Sequence, residues 1–132
     1  MSAWRRKAIE FLPECRRKIE IADSPMALWV DLYLEFEDAV RDGKESLQRR
    51  FLKYAAWCIS PAAGPSPTDA STAAVCAFYE SIGGDKAMWR LFRKWFSRRE
   101  FLDIRETFAY HLSADEYEQL LNTYYGGPDT HA

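Results

Sequence analysis

Histidine is scarce in this sequence, and the scarcity excludes most metal chemistry. The only two are His111 and His131. Neither belongs to an HExxH motif or to a Cys/His spacing that could close around zinc. His131 sits in a polar tail, and His111 falls at the end of an expected helix. A protonated imidazole suits the negative end of a helix dipole, so capping outweighs catalysis as its role. Nucleophile signatures are missing too: there is no GxSxG elbow, and no cysteine has a histidine nearby in sequence. The glycine pairs Gly83-Gly84 and Gly126-Gly127 form neither a P-loop nor a dinucleotide fingerprint. No cofactor, no metal and no enzymatic activity is expected. An enzyme assembled around Tyr110 and His111 is the weakest of the readings.

Paired cysteines are also lacking. Cys15, Cys58 and Cys76 are an odd number without a CxxC spacing, each on an apolar helical stripe where a free thiol acts as a small hydrophobe. A reducing compartment is expected rather than a disulfide scaffold. No apolar run approaches the roughly 18 residues of a membrane span, and the basic N-terminus carries no signal-peptide core. The expectation is a cytoplasmic protein with no membrane partner. Alternation of period two, the mark of a half-buried strand, is absent as well.

What is present is apolar periodicity and aromatic mass. Apolar residues make up 48% and aromatic residues 15% of the 132, enough for a packed core rather than a disordered regulator. A chain of this size buries roughly 68% of its unfolded surface, which suits a single domain over residues 1–132. The net charge of −2 exerts no global pull toward nucleic acid or membrane.

The stretch from 23 to 43 reads as one long capped helix. Ser24 can cap it, Pro25 suits its first position and Gly43 suits the residue past its end. Trp29, Tyr33, Phe36 and Val40 recur at helical spacing, widened by Leu28, Leu32 and Ala39. Before it, residues 3–22 hold an apolar face interrupted by Pro13, which predicts a break at Leu12. After it, residues 45–60 place Leu47, Phe51, Tyr54, Ala55 and Cys58 on one face, with Gln48, Arg49, Arg50 and Lys53 on the polar side. Residues 60–69 hold three prolines and a glycine and form the expected mobile loop. Asp69 or Ser71 can cap the next helix, with Val75, Cys76, Tyr79 and Ile82 apolar and Gly83-Gly84 as its stop. Asp85 can cap an aromatic segment. Ser97 with Glu100, and Ser113 with Glu116, spell capping boxes for two more helices, the first bearing Phe101, Ile104, Phe108 and Leu112. Residues 126–132 are expected to fray. The fold class is all-α, a compact bundle of about six or seven helices with orthogonal or small solenoid-like packing and no sheet.

Two charged features carry candidate function. Asp31, Glu35, Asp38 and Asp42 line one face of the long helix at spacings of four, three and four. The plainer reading is a solvated face, partly neutralised by Arg41 or by basic residues of a neighbouring helix; the functional reading is a binding edge for a basic protein partner. A di-metal site would need Glu-x-x-His motifs on other helices, and none exists. The second feature is the run 86–99, where Lys86, Arg90, Arg93, Lys94, Arg98 and Arg99 interleave with Trp89, Phe92, Trp95 and Phe96. Cations among aromatics suit single-stranded nucleic acid, whose bases stack on rings. The plainer reading is an amphipathic helix with rings inward and cations in solvent. Charge is also segregated: residues 47–99 hold nine basic and three acidic side chains, residues 100–132 one basic and seven acidic.

The pattern SPxALWxDLxLEFEDA over 24–39, RRFLKYAAWC over 49–58, FYE over 78–80 and FAYHLSADEYEQL over 108–120 resemble a family of small bacterial helical domains of unknown function. The resemblance covers about 12–124 and rests on aromatic and capping residues. It implies a bacterial, cytoplasmic, helical protein and transfers no catalytic residue. The leading expectation is therefore a non-enzymatic protein-interaction module, in one version an immunity or antitoxin-like protein. The alternative is a nucleic-acid-associated protein acting through residues 86–99, with Trp89, Arg90, Arg93, Lys94, Arg98 and Arg99 as its contacts.

Overall fold

A proline thirteen residues in sets the first event of the chain. In the computed structural model, which describes residues 1–65 and 67–126, α1 (Ala3–Phe11) ends at Leu12. Pro13–Cys15 makes a 3-10 turn, and α2 (Arg16–Ile21) follows. The expected break is thus a true pair of helices. Ser66, within the proline-rich stretch 60–69, and residues 127–132, with His131 and nearly all of the expected frayed tail, lie outside the described residues. Among the described residues every regular element is helical and none is a strand. The chain divides into two compact units, Met1–Phe78 and Tyr79–Ala132.

The first unit is built on α3 (Pro25–Arg41). Ser24 Oγ accepts from the amide of Ala27 at 3.1 Å, and Pro25 occupies the first helical position. At the far end Gly43 takes φ +68°, its amide donates to Val40 O and that of Lys44 to Ala39 O, the paired bonds of a Schellman cap. Both ends are therefore closed by local chemistry. Along the helix Leu28, Trp29, Leu32, Phe36 and Ala39 are buried against α4 (Glu45–Ile59) and α5 (Asp69–Ala74). Trp29 stacks on Tyr54 at 5.3 Å, and Phe78 meets both Trp29 and Phe36 at 5.0 Å. Each such ring contributes about 1.5–3 kcal/mol on leaving water. Tyr54 Oη donates to Trp4 O at 2.9 Å, which ties α4 to α1. The indole Nε1 of Trp29 is buried, with the Cys58 sulfur beside it.

Two expectations in this unit are corrected. Gln48, placed on the polar side by periodicity, is buried, and its Nε2 donates to Ala39 O at 3.1 Å. That carbonyl already accepts from the Lys44 amide in the cap, and Gln48, brought to it by α4, is a second donor to the same oxygen. The cap of α5 is Thr68, neither Asp69 nor Ser71: Thr68 Oγ1 accepts from Ser71 N at 2.9 Å, and Ser71 Oγ accepts from Thr68 N at 2.8 Å. Ser71 is the reciprocating member of that box.

A π-helical turn, Val75–Tyr79, follows α5, and α6 (Glu80–Gly84) follows the turn. Its extra residue advances the register, so Phe78 and Tyr79 are buried while Cys76 is exposed. Cys76 is therefore not on a buried stripe, whereas Cys15 and Cys58 are.

In the second unit Asp85 Oδ1 accepts from Ala87 N at 3.0 Å and opens a 3-10 run, Lys86–Leu91, before one α turn, α7 (Phe92–Trp95). Both expected capping boxes form, at Ser97 with Glu100 and at Ser113 with Glu116. The helix from Ser97 does not continue to Leu112. It stops as α8 (Arg98–Asp103), kinks at Ile104 and resumes as α9 (Arg105–Phe108). Finally α10 (Ala114–Tyr125) ends at Gly126 with φ +78°. Phe92, Phe96, Phe101, Phe108 and Tyr125 form the aromatic centre of this unit.

Candidate functional site

The core side of α3 fixes where its other sides point. With Trp29, Leu32 and Phe36 locked inward, Asp31 and Glu35 emerge half-buried and Asp38 and Asp42 emerge exposed along one row. Two of the four are neutralised within the chain. Lys18, from α2, pairs with Glu35, and the bond holds the Lys18 ammonium above its usual range. Arg41, one turn on, pairs with Asp38. Among the described residues Asp31 and Asp42 have no ion-pair partner. Four negative charges against two positive leave the row net acidic. Exposed pairs of this kind contribute about 0–1 kcal/mol, so the row adds little to stability.

A feature that helical spacing alone did not expose lies beside it. Met26, Val30 and Leu34 follow one another at intervals of four residues and are 39%, 54% and 57% exposed. They form an apolar row on a third, outward side of α3, beyond the acidic row from the core. The signal was in the composition: residues 25–36 are apolar almost all round, more than one buried face can absorb.

The basic-aromatic run separates into its two parts. Trp89, Phe92, Trp95 and Phe96 are buried, and Trp89 Nε1 donates to Gly83 O at 2.8 Å. Arg90, Arg93, Lys94 and Arg99 are exposed, and Arg98 is half-buried with its guanidinium donating to Tyr125 O. Lys86 pairs with Glu116 at 3.4 Å. No ring of this run is presented for stacking beside its cations. Arg93 and Arg98 do meet in one concavity of about 270 Å³, with Phe96, Ser97, Tyr125 and Gly126.

His111 is exposed, with Nε2 3.4 Å from Glu80 Oε1 and Tyr110 edge-on at 5.0 Å. A carboxylate can orient an imidazole, but the nearest serine in sequence, Ser113, is already engaged as the cap of α10. Elsewhere the buried Cys15 and Cys58 thiols are each pushed up to about 11 by burial, which keeps them protonated and unreactive. Among the described residues no group of three or more His, Cys, Asp or Glu side chains is placed to hold a metal ion. No helix among them is long and apolar enough to cross a membrane.

The structure thus defines an all-α protein whose most distinctive surface is the outer side of α3. No family model, curated protein or solved structure gives a significant match to the chain.

Proposed function

We propose that this chain is a non-enzymatic protein-interaction module that covers a basic surface of its partner with the acidic row of α3. The observation that carries the reading is the charge balance of the row: four carboxylates share two cations, Lys18 and Arg41, and Asp31 and Asp42 make no direct ion pair, on a helix closed by both caps and held by its buried side. A pre-positioned row of charge has little ordering entropy left to lose on binding, and its field raises the association rate with a cationic surface. An immunity or antitoxin-like protein of a bacterial cytoplasm, akin to the small helical domains that its sequence patterns resemble, is the specific version of this proposal. The test is capture from the native host at low salt with wild type and with Asp31→Lys/Asp42→Lys, which spares both internal pairs. A partner retained by wild type and lost by the variant supports it. No partner, or one indifferent to the reversal, sinks it.

A second reading retains one favourable observation, the exposed side chains of Arg90, Arg93, Lys94 and Arg99. With Trp89 turned inward, this surface would engage nucleic acid through phosphates alone. Binding to single-stranded RNA or DNA would then be steeply salt-dependent and indifferent to sequence. Absence of binding at low salt removes it.

A further inference from the structure

We propose that the partner's element seated on α3 is an amphipathic helix, with its apolar row on Met26, Val30 and Leu34 and a basic row along Asp31, Glu35, Asp38 and Asp42. This rests on the acidic row being a binding edge and names what binds there. A single exposed apolar side chain is ordinary on a protein surface. Three at successive turns of one helix face, spanning roughly 12 Å, are the spacing by which helices dock on helices. The choice of residue adds to this. Val30, 54% exposed at the middle of the row, is β-branched and a weaker helix former than the glutamate or lysine a solvated position would accept. Helix stability therefore does not explain it.

Charge selects the occupant. On a helix of 100° per residue the acidic row lies about 110° round from the centre of the apolar row. A helix seated on Met26, Val30 and Leu34 brings its own flanking positions over the carboxylates, within reach of lysine and arginine stems. Lys18 and Arg41 supply two positive charges against four carboxylates, so a basic flank completes the balance. A second copy of this chain fits less well. Two α3 helices facing one another antiparallel about a twofold axis place their acidic rows on the same side, where they repel. An anionic lipid surface meets the same repulsion.

The experiment uses the full chain and a fluorescent synthetic peptide of about 18 leucine and lysine residues, with leucines at helical spacing, long enough to form a helix on contact. Anisotropy titrations at low ionic strength should show binding that weakens as salt is added. Val30→Ser/Leu34→Ser and Asp31→Lys/Asp42→Lys should each weaken it by about tenfold or more, with the circular dichroism of the protein unchanged. A leucine/glutamate peptide of the same pattern should not bind.

Five outcomes overturn the proposal. One is no binding to the lysine peptide at low salt. Another is equal binding of the glutamate peptide. A third is wild-type affinity in the serine variant; if the charge reversal still weakens binding, the acidic edge survives and only the helix-seat inference falls. The fourth is a wild-type dimer in sedimentation that Leu34→Ser dissociates, which assigns the row to a second copy. If the serine variant loses binding while the charge reversal does not, the inference and the reading of the acidic row both fail.

Discussion

Gly83 lies directly beneath the backbone of Phe108: a Cβ atom added to it would stand 2.3 Å from the Phe108 carbonyl oxygen and 2.6 Å from its Cα. The glycine that sequence marks as a helix stop is thus a close-packing contact between α6 and α9. Its φ is not in the left-handed region, so space, not backbone freedom, requires it.

Gly83→Ala is therefore expected to cost about 2–3 kcal/mol, because backbone on the far side cannot swing away as a side chain could. Gly84→Ala is the control. Its added Cβ would meet the Cβ of His111 at 3.2 Å, a contact that a shift of a few tenths of an ångström relieves, and alanine favours helix. Urea unfolding of the two variants should separate them; equal midpoints would refute the account.

Arg50 carries a second prediction. Its guanidinium holds Glu14 with both nitrogens, at 2.6 and 2.7 Å, and also donates to Phe11 O at 3.2 Å. It thereby ties α4 to the break that Pro13 makes. The hydrogen bond from Arg50 holds the Glu14 carboxyl below its ordinary value of 4.5. A folded-state pKa below the unfolded one gives stability that is present above the unfolded value and lost as pH falls through the folded one. Glu14→Gln should cost at most about 1 kcal/mol at pH 7, since the pair is largely solvated. That difference should shrink as pH falls below 4.5 and vanish once the folded-state carboxyl is protonated. Arg50→Ala should cost more than Glu14→Gln at pH 7, because it also strips the donor from Phe11 O. A difference between Glu14→Gln and wild type that persists unchanged at pH 3 would contradict this.

How much of this was legible follows from how local each feature is. The caps at Ser24, Ser97 and Ser113 are hydrogen bonds over three residues, so the residue types alone announce them. The break at Leu12 is equally local, since proline acts on its immediate neighbours. The acidic row follows from spacing, and neutralisation by Arg41 and by a neighbouring helix was foreseeable in kind, though only packing names Lys18. Gln48 and Gly83 acquire their roles from chain far away in sequence. The π turn at Val75–Tyr79 shifts the register by one residue, and no residue type announces it; that alone misplaced Cys76. The apolar row on α3 was hidden for a different reason. A helix apolar nearly all round does not say which side is the core until its neighbours are placed.

The cysteines give a third prediction, and it tests that register shift. Cys15 and Cys58 are buried with thiols pushed up to about 11, whereas Cys76 is exposed. A thiol reagent at pH 8 should modify one of the three cysteines rapidly in the native protein and all three in denaturant. Cys76→Ser should abolish the rapid phase. Rapid reaction surviving in that variant would mean that the turn does not rotate Cys76 outward.

The last prediction sets two leucines of α3 against each other. Leu32 and Leu34 are two residues apart and chemically identical, yet Leu32 is wholly buried and Leu34 is 57% exposed. Truncating Leu32 to alanine removes three buried carbons and leaves a cavity in the core, an expected cost of about 2–5 kcal/mol. Truncating Leu34 removes surface already in water, and alanine is the better helix former, so the expected change lies within about 0.5 kcal/mol of zero. Denaturant midpoints for the two single variants measure the contrast directly. If Leu34→Ala costs as much as Leu32→Ala, then Leu34 is covered within the chain, the apolar row is not surface, and no partner helix can rest there. If it costs nothing, a leucine has been kept at a solvated position where stability does not need it, which is the condition a docking contact must meet.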